Sequence, residues 1–412
     1  MPWFNAYLFN IAQTVLAIFV VAQSWQRSCL KGAMESLYVR PFDNSIYLWG
    51  KITGIIILFI LLNICSIGIG ILLNLFGSFA SFNFWYYLFY FFFLTLPSLF
   101  FILGLGVWLS GMIRFRYITL LIMWCIMILS MEWGADVLNG TFDFSGNSLF
   151  GLFSSVAGLM DISFFLFQRV AYFLFGLGFM FLSVYQVKRI PNQKRKLLML
   201  VYTGMCFLVL GIACIGLLIM RYVQDVNART SYRASFACYW NPQTASVTSH
   251  DIIVKQENKH LVCTSRMTLL NTNEERLTRL VLFLNPGLEI QCVKIAGKRF
   301  PFKRDNQVLW VDYNLGIKDS VILQIDYSGE IDSRFCDLNL TGKQSLQIKR
   351  DDHVFRLGRR TVFVDDNFIL LTPASGWYPT TKPPVYPEKS FFTQRDFTYS
   401  DSPQTHLIFL VY

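Results

Sequence analysis

The chain has 412 residues, 54% of them hydrophobic and only 15% charged, with a formal net charge of +10. Soluble domains sit nearer a quarter charged, so an ordinary soluble globule is excluded and membrane residence is indicated. Residues 1–220 carry 12 Lys/Arg against 6 Asp/Glu and residues 221–412 carry 24 against 20, with no basic stripe interleaved with aromatics, which excludes a nucleic-acid partner.

In chain order, six apolar spans are expected at about 6–23, 52–76, 85–109, 117–138, 163–185 and 197–220, each long enough to cross a hydrocarbon core of about 30 Å. The first is the weakest, being broken by Asn10 and Gln13. Loop charges alternate along the chain. Loop 24–51 holds Arg27, Lys31, Arg40 and Lys51, loop 110–116 holds Arg114 and Arg116, and loop 186–196 holds Lys188, Arg189, Lys194, Arg195 and Lys196. Loop 77–84 holds no charge, and loop 139–162 holds Asp143 and Asp161. Basic loops stay cytoplasmic, so the last span delivers residues 221–412 to the extracytoplasmic side. With six spans the N-terminus would then also lie outside, so either a leading helix precedes this chain or span 6–23 is re-entrant; the missing helix is preferred. The N-terminus does not read as a cleaved signal peptide.

Two features of the spans invite a functional reading. The aromatic run Trp85–Phe93 is open to reading as a cofactor or ligand box, but an interfacial belt and lipid-facing bulk are preferred. Glu132 and Asp136 sit one helical turn apart at the outer end of their span, and intramembrane carboxylates mark candidate polar sites, although near a helix end they can simply reach water.

Arg221–Ser235 reads as a polar connector. Beyond it the pattern changes to period two, most clearly at Ser320–Ser328, where Val321, Leu323, Ile325 and Tyr327 fall on one face. Similar runs at 250–257, 260–270, 277–284, 288–295, 307–313, 367–371 and 405–411 are punctuated by Pro286-Gly287, Ala296-Gly297-Lys298 and Ser328-Gly329-Glu330. The fold class expected is a multi-pass α-helical membrane domain (1–221), a connector (222–235) and an all-β antiparallel sandwich or saddle (236–412), ample for a core of its own. Cys65, Cys125, Cys206 and Cys214 read as small hydrophobes inside spans. Cys238, Cys263, Cys292 and Cys336 allow three pairings or four free thiols, and free thiols are preferred because a domain of this size needs no staple.

Arg27–Lys51 reads RSCLKGAMESLYVRPFDNSIYLWGK. This amphipathic charged helix, polar turn and re-entry into the membrane resemble the segment between the second and third helices of ABC-2-type permeases. The resemblance rests on Gly32, Glu35, Leu37, Arg40-Pro41 and Gly50-Lys51; it departs at Ser28 and lacks the family's first helix. It implies a separate ATPase subunit docking at about 27–45, through Arg27, Lys31, Glu35 and Arg40. The outer half resembles the N-terminal β-domain of aminopeptidase N-type (family M1) zinc peptidases. Leu282–Gly287 (LFLNPG), Ile325–Ile331 (IDYSGEI) and Phe363–Pro379 (FVDDNFILLTPASGWYP) carry that match. Permeases fused to such a region are a recognisable bacterial arrangement, and this chain looks like one truncated at both ends.

The chemistry of those peptidases requires two histidines one helical turn apart and a glutamate base. His250, His260, His353 and His406 include no such pair. Gly32–Ser36 (GAMES) mimics a peptidase substrate motif by coincidence, since it lies in a cytoplasmic loop far upstream. Lys51, Lys298 and Lys343 each follow glycine without completing a P-loop, and no G-x-S-x-G elbow occurs. The expectation is a non-catalytic, cofactor-free subunit of an ABC-2-type transporter in a bacterial inner membrane, with its ATPase, membrane lipid and a second permease half as partners. The alternatives are a membrane-anchored fragment of an M1-type aminopeptidase lacking its catalytic domain, and a tethered binding module.

Overall fold

The computed structural model describes residues 2–28, 43–77, 83–113, 115–134, 137–146, 153–154, 158–159, 162–187, 194–239, 243–336, 338, 362–365, 368–382 and 404–410. These form two compact units, Met1–Tyr222 and Val223–Tyr412.

The first unit is helical. α1 spans Pro2–Ser28 and α2 Asn44–Gly77. α3 (Phe84–Met112), α4 (Arg116–Gly134) and α5 (Ile162–Gln186) follow, and α6 (Lys194–Tyr239) begins in this unit. The described residues thus contain six helices long and apolar enough to cross a membrane, at the six places where apolar spans are expected. Leu61, Ile64, Leu72 and Leu73 on α2, and Met199, Val209 and Ile212 on α6, stay exposed; so much apolar surface suits lipid and not water. α3 starts at Asn83, whose Oδ1 accepts the Trp85 amide at 2.9 Å. A π turn at Phe91–Thr95 interrupts it just before Pro97. Proline has no N–H to give and crowds the carbonyl four residues back; the wider turn relieves that crowding.

α3 and α5 pack backbone to backbone. A Cβ placed on Gly104 would lie 2.1 Å from the Gly176 carbonyl oxygen, an approach that only paired small residues permit. After α4, which ends in a second π turn at Ser130–Gly134, a 3-10 turn at Val137–Gly140 leads into a loop. Thr141, Asp143, Phe144 and Ser145 of that loop are all buried. Two short strands, β1 (Phe153–Ser154) and β2 (Gly158–Leu159), pair antiparallel before α5.

In the second unit the C-terminal part of α6 precedes the strands. Residues 221–235, a polar connector by composition, are helical. Asp225, Arg229, Tyr232 and Arg233, at helical spacing, reach the segment around 332–338. Arg229 Nη1 donates to the carbonyls of Arg334 (3.1 Å) and Cys336 (2.8 Å), Arg233 Nε to that of Leu338 (2.8 Å), and the Tyr232 hydroxyl to Asp332 Oδ2 (2.6 Å). Burial works against the Asp332 charge, but Arg334 and the Tyr232 hydroxyl hold its carboxyl below the usual carboxylate range. Tyr232, Phe335 and Leu338 bury one another.

The strands follow as β3 (Ser246–Glu257), β4 (His260–Leu270), β5 (Leu277–Phe283), β6 (Leu288–Ile295), β7 (Lys298–Arg299) and β8 (Lys303–Asp305). β9 (Val308–Leu315), β10 (Ser320–Gly329), β11 (Val362–Asp365), β12 (Phe368–Leu371) and β13 (Gln404–Leu410) complete them. A six-stranded sheet runs β13-β3-β4-β10-β6-β7, a three-stranded sheet β5-β9-β8, and β11-β12 form a hairpin. Both larger sheets feed one core: Ile252, Leu261, Leu269, Leu323 and Ile325 from the first, Leu280, Leu282, Leu309 and Val311 from the second. As their alternation requires, Val321, Leu323, Ile325 and Tyr327 are buried on one face of β10. Ala296 and Gly297 both take positive φ (48° and 83°) in the two-residue turn between β6 and β7, the geometry that matches strand twist. One pairing departs from the antiparallel expectation: β13 lies parallel to β3. A parallel neighbour cannot be made by a tight turn, and β13 arrives from far along the chain.

Candidate functional site

The interior of the helical unit holds a polar centre built around Arg169, whose side chain is completely buried on α5. Its Nη1 donates to the Phe144 carbonyl (2.7 Å) and to Ser98 Oγ (3.3 Å), and its Nη2 to the Asp143 carbonyl (2.8 Å). Its Nε donates to Gln168 Oε1 (3.1 Å), which also takes Nη2. The guanidinium lies 5.7 Å from the ring centroids of both Phe165 and Tyr172, within cation–π range. Gln168 Nε2 donates to the carbonyls of Gly140 (2.6 Å) and Asp143 (3.0 Å), and the Tyr172 hydroxyl to that of Thr141 (3.1 Å). The Asp143 carboxylate turns back to its own loop, accepting the Ser145 amide (2.9 Å) and hydroxyl (2.5 Å).

α1 and α3 extend the polar centre. Ser98 Oγ donates to the Phe144 carbonyl at 2.8 Å, and Asn10 Nδ2 donates to Ser98 Oγ (3.2 Å) and the Ser145 carbonyl (3.0 Å). One turn along, Gln13 Nε2 donates to the Thr95 carbonyl (3.1 Å) and Gln13 Oε1 accepts from Asn63 on α2 (2.5 Å). Asn10 and Gln13, which weaken the first span as a hydrophobic run, therefore point inward and are buried. Buried carbonyls outside regular structure must find their donors within the protein. Here Arg169, the side-chain amides of Asn10 and Gln168, and the hydroxyls of Ser98, Ser130 and Tyr172 supply donors to the carbonyls of 140–145.

The residues singled out from sequence fare differently. Glu132 lies on the π turn at the end of α4, exposed and apart from the Arg169 centre; Asp136 lies outside the described residues. Arg27 falls in the last turn of α1, while Lys31, Glu35 and Arg40 lie outside the described residues. Arg169 was available to sequence reasoning as the lone charge within span 163–185, where intramembrane cations are rare and functional by default.

In the β unit, the three stretches that carry the peptidase resemblance meet around Gly287 and Asn285. The buried Asn285 side chain donates through Nδ2 to the carbonyls of Ser375 (2.7 Å) and Asp332 (3.1 Å). Its Oδ1 accepts the amides of Asp332 (2.8 Å) and Gly287 (2.9 Å). Its own amide donates to the Gly376 carbonyl at 2.8 Å, and its carbonyl accepts Arg304 Nη2 at 2.7 Å. A Cβ on Gly287 would strike the Glu330 carbonyl at 2.1 Å, which explains the glycine of LFLNPG. Every hydrogen-bonding group of Asn285 is used, so this junction is a structural knot.

His250 is buried, with Nε2 2.7 Å from Ser265 Oγ and its ring edge-on to Tyr378. His260 is exposed, 3.7 Å from Glu330; His353 lies outside the described residues, and His406 is on β13. Among the described residues no three His, Cys, Asp or Glu side chains gather as a metal site, so a peptidase zinc finds no ligand set in them. Cys65, Cys125, Cys206, Cys214, Cys238, Cys263 and Cys292 are free thiols. Burial pushes the Cys263 thiol up to about 12, against a hydrogen bond with Tyr327.

No protein-family profile and no curated protein matches the chain. Solved structures similar to part of it are M1 zinc metallopeptidases. The enzyme from Deinococcus radiodurans is 21% identical over 22% of this chain and 21% of its own, with a TM-score of 0.20. A mutant of that enzyme is 17% identical over 34% and 30%, with a TM-score of 0.26. Yeast LTA4 hydrolase is 19% identical over 23% and 16%, with a TM-score of 0.19. The chain spans less than a third of the length of each.

Proposed function

We propose that the chain is a membrane-spanning subunit of an ABC-2-type transporter, working with a separate ATPase and carrying an extracytoplasmic β unit for substrate or partner binding. The observation that favours transport over anchorage is the Arg169 centre. A tether needs apolar helices only, whereas this unit buries a cation, several amides and a folded loop in its interior. Polar interiors of this kind mark pathways and moving parts in membrane proteins. In this reading two permease halves, identical or not, rock against each other in a bacterial inner membrane as the ATPase at about 27–45 turns over. The chain performs no catalysis itself and needs no cofactor.

The test is charge reversal at Arg27, Lys31 and Glu35 together, with the co-purifying ATPase quantified. Breaking a well-packed charged interaction between partners costs on the order of 1–3 kcal/mol, so the triple variant should insert normally and release its partner. Unchanged ATPase affinity would sink the docking role. The second reading, a membrane-anchored fragment of an M1-type aminopeptidase, is favoured by the meeting of the LFLNPG, IDYSGEI and SGWYP stretches around Gly287 and Asn285. Stoichiometric zinc with chelator-sensitive hydrolysis of aminoacyl anilides would select it.

A further inference from the structure

β5 is one of the two outer strands of the three-stranded sheet, and a single bridge reveals the phase of its backbone. The Phe283 amide donates to the Thr380 carbonyl at 2.7 Å, and the Thr380 amide donates back at 3.0 Å. The peptide groups of Phe283 therefore point away from β9. That direction repeats every second residue along a strand, and the pairing with β9 is unshifted from Arg279 to Phe283. The amides and carbonyls of Val281 and Arg279 accordingly point outward too, along an edge that no described strand occupies. Past Thr380 the chain bends, with Thr380 Oγ1 donating to the Lys382 carbonyl at 2.6 Å.

This edge is one wall of a cleft of about 700 Å³, closed by the end of α6 at Cys238 and Tyr239 and by Gln243–Ala245. Its cations are Arg276 and Arg279, against a single carboxylate, Asp312, among the described lining residues. Arg279 bonds Asp312 at 3.1 Å and lies over the Trp310 ring at 5.9 Å, and Tyr239 stacks on Trp310 with centroids 4.6 Å apart. Arg276 makes no described ion pair and is exposed.

We propose that this edge receives an extended, acidic peptide segment that adds to β5 antiparallel, in line with the pairing Thr380 already makes. Main-chain bonds to Arg279 and Val281 supply affinity, and alternate side chains supply specificity: acidic ones meet Arg276 and Arg279 on the face that carries the Tyr239–Trp310 stack, and their neighbours turn to the opposite face, towards the apolar lining at Ala245, Leu269 and Leu280. An open edge strand otherwise invites unspecific association. The inference gives the partner-binding role of the β unit its chemistry, and it stands whether or not the helical unit transports anything.

The experiment uses the full chain in detergent micelles and labelled hexapeptides, Thr-Glu-Val-Glu-Val-Thr and its lysine counterpart, read by fluorescence anisotropy. The acidic peptide should bind at least tenfold more tightly. N-methylating one alternate set of its amides should abolish binding, and methylating the other set should not. The Arg279 and Val281 amides should exchange rapidly in the free protein and slow with peptide. Val281→Pro removes only an outward N–H and should abolish binding with the melting curve retained, and Arg276→Glu should erase the charge preference. If Val281→Pro unfolds the chain, the methylated peptides on the unaltered protein decide. No binding, no charge preference or equal binding of both methylated sets would overturn the proposal. So would Arg279 and Val281 amides already protected in the free protein, which would show the edge covered by another part of the chain.

Discussion

Gly104 on α3 and Gly176 on α5 face each other at a distance that leaves no room for a methyl group: a Cβ on Gly176 would lie 2.4 Å from the Phe100 backbone. Neither backbone can yield without parting the two helices. Gly176→Ala should therefore destabilise the helical unit by about 1–3 kcal/mol, the usual cost of overpacking, and Gly176→Leu should prevent its assembly. Thermal unfolding and size-exclusion profiles in detergent check both. An unchanged profile for the leucine variant would refute the close packing.

Removing the Arg169 guanidinium strips donors from the Asp143 and Phe144 carbonyls and from Gln168 at once. Arg169→Leu should cost about 3–5 kcal/mol, the range seen when one partner of a buried charged network is deleted. Arg169→Lys, with fewer donors in a different geometry, should recover part of it. Thermal unfolding in detergent measures both. A leucine variant as stable as the parent would mean that the loop at 140–145 holds itself in place.

His250 makes the β unit sensitive to mild acid. Burial lowers its pKa to about 4, against an opposing effect from Asp251, while an unfolded histidine titrates near 6.5. Between those values the unfolded chain binds a proton that the folded chain does not, so stability falls as pH drops through that window. The full effect is about 3 kcal/mol. Amide-exchange protection of Ile252 and Val254, corrected for intrinsic rates, should decrease from pH 7 to pH 4.5 in the parent. It should stay nearly level in His250→Gln. Equal pH dependence in both would assign the effect elsewhere.

Orientation is tested by single cysteines in a background without native thiols. Thr272→Cys, at an exposed turn of the β unit, should react with a membrane-impermeant reagent in intact cells, and Asn192→Cys should not. The reverse pattern would turn the protein over in its membrane.

The elements announced by side-chain periodicity were legible in the sequence. β4 and β6 run from His260 to Leu270 and from Leu288 to Ile295, as alternation and flanking turns indicate, and the six apolar helices stand where apolar runs lie. The polar centre was only half legible. Arg169 shows as a charge in an apolar run, but the acceptors that tie it to the loop are main-chain carbonyls of Asp143 and Phe144, and a carbonyl has no residue signature. The helical nature of 221–235 was hidden for a related reason. Arg229 and Arg233 look like solvated linker charges until the backbone around 334–338 comes within reach of them. The parallel seat of β13 had no local signal, since its neighbour β3 lies about 150 residues earlier.

The junction between α6 and the strands fixes where the β unit can be cut. Gln307 Nε2 donates to the Tyr232 carbonyl at 2.6 Å, and Asn306 Nδ2 donates to the hydroxyls of Ser231 (3.0 Å) and Ser235 (2.7 Å). A soluble fragment begun at Phe236, where the β pattern starts, would lose these partners and lay bare Phe335 and Leu338. One begun at Val223 keeps them. The last helix thus contributes structural residues to the unit it precedes, and a protease that nicked the chain near residue 236 would release a fragment prone to aggregate instead of an intact domain.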